Sequence, residues 1–311
     1  MANEDTAQRI KDKIEKLPLI DVTVFETMSL LNSPDSNFEQ IVEKLSPDIA
    51  ARFLNIANSA YYGIEVRSIS HAVRLLGYSQ MKQILVTSIL IEHFTRRLKD
   101  FSFEKFQKQA QFCAAVSRVL GEIVDYGKLE DLFTVAILHN IGKLVIAVYF
   151  QKEHKEIIAL KRSKNMMTRE AEEKILGVSH AEIGSSILER FNIPKDICDA
   201  VRYHDAEDRL NTENSNFKLA HIIRESAGLV GRFKLPEDMD YAYIVDRLKG
   251  TVQKGREMYQ AGMRAEIQPK GYKEAFIGLL EEASSLVGKS LKGFQERVPH
   301  KNNNFPDNQQ I

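Results

Sequence analysis

Leu138-His139-Asn140-Ile141-Gly142-Lys143-Leu144-Val145, LHNIGKLV, lies inside a strongly apolar run from Leu132 to Phe150. A histidine, an amide and a lysine interrupt the aliphatic residues at its centre. Two readings compete for them. They are the edge of a metal site, or a helix end whose polar groups satisfy orphan backbone donors and acceptors. Leu129 to Leu138 reads as a buried helix that delivers His139 at its end. The choice depends on what the rest of the chain brings to that point.

The chain has 311 residues, enough for one large domain or two ordinary ones with a real core. Its 16 glycines and 8 prolines fall well below the usual ~12% of residues, which favours long helices over a turn-rich β architecture. The 43 basic and 43 acidic side chains cancel. That removes the electrostatic case for non-specific nucleic-acid or anionic-membrane binding. Cys113 and Cys198 fall on apolar faces of helical patterns and read as small core residues of a reducing compartment. Met1 is followed by polar and charged residues, so no secretory signal is expected. No apolar run is expected to reach the ~18 residues of a membrane span. A cytoplasmic protein without a membrane partner is the expectation.

The periodicity predicts an all-α fold. A charged leader helix over 1–16 ends at Leu17-Pro18-Leu19, and Val22 to Leu31 reads as a second helix. Ser36-Asn37-Phe38-Glu39 has capping-box spacing. Ser46-Pro47 opens a helix burying Ile49, Phe53, Leu54 and Ala57, closed by ANSAYYG (Ala57 to Gly63). Ser70 caps a short helix, Gly77 takes a left-handed stop, and Ser79 caps a longer one. Helix, glycine turn and helix also outline a DNA-binding motif. Yet Ile84, Leu85, Val86, Ile89, Leu90 and Ile91 make the second helix too apolar for a groove. Lys99 to Ser102 reads as a junction. Beyond it Phe103 to Val124 is amphipathic, with Phe106, Ala110, Cys113, Ser117 and Leu120 on one side and Gly127 as its stop. Thr168 to Leu176 is stopped by Gly177, and Ser179-His180-Ala181-Glu182 is a second capping box. Pro194 opens a helix with Ile197, Ala200, Val201 and His204 on one face. Phe217 to Val230 and Tyr272 to Leu286 complete the series. Residues 236–268 read as charged and less regular, and 299–311 as a disordered tail.

A two-histidine metal site needs neutral imidazoles aimed at one point, usually with carboxylates that balance the cation. His139 ends one helix, His180 begins another, and His204-Asp205 ends a third. Donors at the ends of neighbouring apolar helices can converge, although each alone also reads as a helix-end polar group. His71, His93, His154 and His300 read as surface or cap residues. No GxSxG turn, cysteine–histidine pair or GxxxxGKS loop supports nucleophilic or P-loop chemistry.

LHNIGKLV resembles the helix-end motif of the HD superfamily of metal-dependent phosphohydrolases, in which His-Asp precedes Ile-Gly-Lys. NSPDS, ANSAYYG and ISHAVRLLGYSQMKQILV are similar to the N-terminal part of the HDOD domain, the HD-related output domain. HAEIGSSILERFNIPKDICDAVRYHD resembles its C-terminal part, and the likeness covers about Leu17 to Val230. It implies a multi-helix bundle in two packed halves, 17–101 and 102–235, followed by a helical extension over 236–298. It also implies four metal-binding positions: an early His, the His-Asp pair and a late Asp. Gln109 occupies the first, His139 is retained, Asn140 replaces the paired Asp, and His221 stands at the last. His180 and His204 match extra histidines of the cyclic-dinucleotide phosphodiesterase branch.

Asn140 is neutral and cannot bridge two cations as a carboxylate does. Loss of an anion beside a divalent ion removes several kcal/mol of stabilisation in a low-dielectric site. The expectation is therefore no enzyme and no required cofactor, with at most one residual divalent ion at His139, His180, His204 and Asp205. Gly142 reads as allowing a tight turn, and Lys143 can set its ammonium where a second cation or a phosphate would sit, or simply seek solvent at a helix terminus. The resemblance implies a stand-alone signalling output or adaptor protein, partnered by components of two-component or cyclic-dinucleotide pathways. Its working groove would include Asn58, Tyr61, Tyr62 and Lys143. The alternatives are a residual metal-dependent phosphodiesterase or nucleotidase and, more weakly, a nucleic-acid binder acting through Ser70 to Val86. Neither partner nor oligomeric state is written in the residues.

Overall fold

A computed structural model describes residues 2–15, 47–58, 65–95, 103–191, 193–206, 217–233, 248–264, 281 and 283–292. Among these residues every regular element is helical. The helices are α1 (Ala2–Glu15), α2 (Pro47–Ala57), α3 (Ile69–Thr95), α4 (Phe103–Ile123), α5 (Leu129–Leu138) and α6 (Ile141–Tyr149). They continue as α7 (Gln151–Lys164), α8 (Thr168–Leu176), α9 (His180–Arg190), α10 (Lys195–Tyr203), α11 (Phe217–Arg232) and α12 (Lys249–Arg264). A further helical segment covers 283–292. The expected Val22–Leu31 helix, the capping box at Ser36, the loop residues Tyr61 and Tyr62, the Lys99–Ser102 junction and the tail lie outside the described residues.

Local chemistry sets most boundaries. Pro47 opens α2 as the sequence predicts. Gly177 ends α8 at φ +73°, and Asn165 ends α7 at φ +48°. At Ser179 the hydroxyl accepts from the Glu182 N–H, while the Ser179 N–H donates to the Glu182 carboxylate at 3.0 Å.

Two boundaries differ from expectation. Ser68, not Ser70, caps α3, because its Oγ accepts from the His71 N–H at 3.0 Å. The stop after α4 is taken by Asp125 at φ +53° rather than by Gly127. Lys249–Arg264 is a 16-residue helix within the expected helical extension, in a stretch that reads as charged and less regular. Thr251, Val252 and Gly255 are buried among its described side chains, and such small or β-branched residues weaken an apolar pattern.

The glycine break in α3 is real, with Gly77 at φ +80°, ψ 166° inside the helix. Ile84, Leu85, Ile89 and Leu90 are fully buried, so the second helix of that helix-turn-helix outline packs into the core as expected. Leu129–Tyr149 overturns the expectation that no run reaches membrane-span length. By length and composition these 21 residues could cross a membrane, yet most of the stretch is buried within the protein. His93, expected at the surface, is 6% exposed, with its ring edge-on to Phe191. Both cysteines are free and buried.

The two expected halves share one continuous core that runs from Ile10 to Leu291. The amides of Gln107 and Gln111 on α4 each donate to Asn55 Oδ1 on α2 at 2.7 Å, and Gln80 on α3 donates to Glu130 on α5 at 2.9 Å. Helix α4 is the central strut, packed by α5, α11 and α12. Helices α6, α9 and α10 stack beside it, with α1 laid against α8 and α9.

The closest approach joins α6 to α9. A Cβ on Gly142 would fall 1.9 Å from the His180 carbonyl oxygen, and one on Gly184 would fall 3.2 Å from the Gly142 nitrogen. Gly142 therefore serves backbone contact rather than the tight turn expected of it. Gly142→Ala should cost on the order of 3 kcal/mol, since the obstacle is backbone and cannot swing away. Gly228→Ala, where nothing lies within 4 Å, should gain up to about 1 kcal/mol. Urea denaturation of the two variants checks the contrast, and equal midpoints would refute it.

Candidate metal centre

Three helix ends meet at one buried corner. His139 is the C-terminal cap of α5, His204 the C-terminal cap of α10, and His180 the first residue of α9. Their exposures are 4%, 4% and 3%. The His139 and His204 rings lie 5.0 Å apart between centroids, and those of His180 and His204 lie 5.3 Å apart, both edge-on. Asp205 follows directly on His204.

The outer nitrogens fix the roles of the inner ones. His139 Nδ1–H donates to the Ala136 carbonyl at 2.6 Å and His204 Nδ1–H to the Val201 carbonyl at 2.7 Å. A carbonyl can only accept, so Nδ1 carries the proton and Nε2 keeps its lone pair. His180 Nδ1 lies 2.7 Å from Glu172 Oε2, and the same oxygen accepts the His180 backbone N–H at 2.8 Å. His180 Nε2 and Asp205 Oδ2 are both buried without a hydrogen-bond partner, and they face each other across 3.8 Å. The other Asp205 oxygen accepts from Arg169 Nη1 at 3.0 Å.

Burial governs the charges. It holds His139 well below the usual imidazole range, helped by the neighbouring His204. It does the same to His180, with Lys143 adding to the effect. His204 is lowered by burial against the pull of Asp205. Burial also lowers Lys143. Glu172, 2% exposed, is pushed up to about 7 by desolvation, with Lys143 opposing. The corner thus offers neutral imidazoles and, on Asp205, one buried carboxylate oxygen without a hydrogen-bond partner.

That donor set fits one divalent ion. The ligand atoms of His180, His204 and Asp205 all lie within 4.8 Å of one another. Two imidazoles and a carboxylate suit borderline cations such as zinc, iron(II) or manganese. The orphaned Nε2 and Oδ2 are the atoms such an ion would satisfy. His139, packed on His204, flanks this trio as a further imidazole.

The remaining expected positions stand apart. Gln109 is exposed on α4, whereas the histidines it would have to join are buried. Asn140 sits at the N-cap of α6 without a side-chain capping bond. His221 is buried on α11 and does not belong to the metal-type cluster found among the described residues. Asn58, expected in a groove, clamps its own loop: its amide donates to the Val66 carbonyl at 2.8 Å and accepts the Val66 N–H at 2.6 Å.

Sequence reasoning missed Glu172 and Arg169. Glu172 stands among the charged residues of TREAEEKIL, where its place four residues before Leu176 was the one sign of burial. Arg169 carried no such mark, because its partner is 36 residues away.

The HDOD domain model matches residues 17–207. An uncharacterised protein of Treponema pallidum (strain Nichols) is 24% identical over 204 residues, covering 64% of this chain and 39% of that protein. The chain thus spans about two fifths of the length of this relative. A structure from Shewanella amazonensis SB2B, named a candidate phosphohydrolase, aligns with a TM-score of 0.61 at 22% identity, covering 91% of this chain and 96% of that one. One from Marinobacter aquaeolei VT8, named a candidate signal transduction protein, aligns at 0.54 with 19% identity, covering 91% and 66%. These structural likenesses are of fold.

The buried imidazoles set an acid limit. Their folded pKa values lie below the unfolded ~6.5, so they stabilise the fold above that pH and lose this contribution as pH falls from about 6.5. Glu172 acts oppositely, since its raised value favours the fold below about 4.5 and loses that as pH rises through about 7. Three protons against one leave a net loss on acidification, with each group bounded by about 1.4 kcal/mol per pH unit. The urea midpoint of chelator-treated protein should therefore drop between pH 7 and 5.5. A flat or rising midpoint would contradict the neutral assignment.

Proposed function

The chain belongs to the HDOD family, and from that premise we propose a signalling output module whose metal corner serves structure rather than hydrolysis. One observation carries the reading: among the described residues the metal-type trio contains a single carboxylate, that of Asp205. The corner's other acid, Glu172, turns both contacts of Oε2 toward His180. Where the HD pattern places an aspartate after His139, this chain has Asn140. A binuclear phosphohydrolase uses carboxylates to bridge two cations and to lower the pKa of a bound water. Without a bridge, two dications a few ångströms apart repel one another in a medium that screens them poorly.

Such an ion would be held by His180, His204 and Asp205, with His139 as a fourth donor. When bound, it supplies a Lewis-acidic cross-link between the start of α9 and the end of α10. His139 and His204 present their Nε2 lone pairs because backbone carbonyls hold their Nδ1 protons. Arg169 and Lys143 balance the local negative charge of Asp205 and Glu172. The signalling role is supported by family membership and by the fold shared with the Marinobacter protein. The partner class proposed is another signalling protein.

Metal analysis of purified protein should return one ion per chain. At a hundredfold excess over its dissociation constant, that ion should add about 2.7 kcal/mol to stability. His180→Ala and His204→Ala should each abolish the gain. Turnover of phosphodiester and cyclic-dinucleotide substrates with added manganese or iron should stay at background. Two ions per chain, with turnover lost in His139→Ala, would establish the phosphodiesterase alternative instead.

A further inference from the structure

We propose that one turn of α8, which supplies no metal donor itself, aligns the metal corner: Glu172 and Arg169 are positioning residues that orient His180 and Asp205 toward a common ion. This rests on the single-ion reading above. Residues three apart share a helix face, so Arg169 and Glu172 project from α8 to the same side. Glu172 Oε2 receives both the backbone N–H of His180 at 2.8 Å and its Nδ1–H at 2.7 Å. One oxygen thereby fixes where α9 begins and how the His180 ring is turned. With the proton held on Nδ1, Nε2 is left as a lone pair facing Asp205 Oδ2 at 3.8 Å.

Arg169 acts on the second donor. Its Nη1 donates to Asp205 Oδ1 at 3.0 Å, and its Nε is held by Glu173 Oε1 at 2.8 Å. The guanidinium is anchored on its own helix, and its fork grips one carboxylate oxygen while the other is presented inward. Helix α8 is in turn fixed by the burial of Ala171 and Leu176 and by its contact with α1. His139 and His204 need no such support, since each ring is turned by a carbonyl three residues earlier. The two donors without a local carbonyl contact are the two that α8 holds. A carboxylate behind a ligating imidazole also raises its basicity, and loss of such a partner weakens metal affinity 10–100-fold.

Cobalt(II) titration of the chelator-treated full chain tests this, with dissociation constants from calorimetry and coordination from the visible d–d bands. Glu172→Gln keeps an acceptor and the side-chain volume but removes the charge. It should weaken cobalt binding about tenfold and shift the bands. Arg169→Gln, at a half-buried position, should do likewise through Asp205. Lys174→Ala, exposed on the same helix, should leave both readouts unchanged. Packing alone would not move the d–d bands of a bound ion. Equal affinity and identical spectra in wild type, Glu172→Gln and Arg169→Gln overturn the inference while the single-ion reading stands. A wild type that takes up no cobalt removes the single-ion reading, and this inference with it.

Discussion

The contact between Gly142 and Gly184 is the constraint on which the rest of the structure turns. Two helix backbones, α6 and α9, meet with no side chain between them. That approach sets the His180 carbonyl against the start of α6, one turn past His139. A methyl group at Gly142 would push the helices apart, and His180 at the start of α9 would move away from His139 just before α6.

Burial then assigns the chemistry. In an exposed cluster, three histidines near neutral pH would titrate and repel. Here desolvation keeps each neutral, and carbonyl or carboxylate partners decide which nitrogen holds its proton. The same low polarity makes an unpaired atom costly, which is why the orphaned Nε2 of His180 and Oδ2 of Asp205 carry weight. Asn140 occupies the N-cap position of α6, and the flanking aliphatics Leu138, Ile141 and Leu144 are buried.

Features set by neighbours in sequence were legible. Pro47, Gly177 and the Ser179–Glu182 box act within a few residues, and they marked α2, α8 and α9 where these helices lie. The end positions of His139, His180 and His204 followed from those boundaries, so most of the corner could be read before any contact was known. What stayed hidden depends on long-range partners. Gly142 looked like a turn residue because nothing near it in sequence names α9. Arg169 and Glu172 looked like ordinary members of a charged helix, as their contacts cross a glycine turn or a second helix. Helix α12, inside the expected helical extension, read as less regular because its described buried residues are threonine, valine and glycine among lysines and arginines.

The bend at His139 and Asn140 has a consequence for how the chain is made. It divides a membrane-length greasy stretch into α5 and α6, each roughly 15 Å long at 1.5 Å per residue. Helices α3 and α4, encoded before the stretch, pack on this pair, and α9, α10 and α11, encoded after it, complete the cover. The stretch is thus half-covered as it is made, and its polar centre interrupts the apolar run until the later helices arrive.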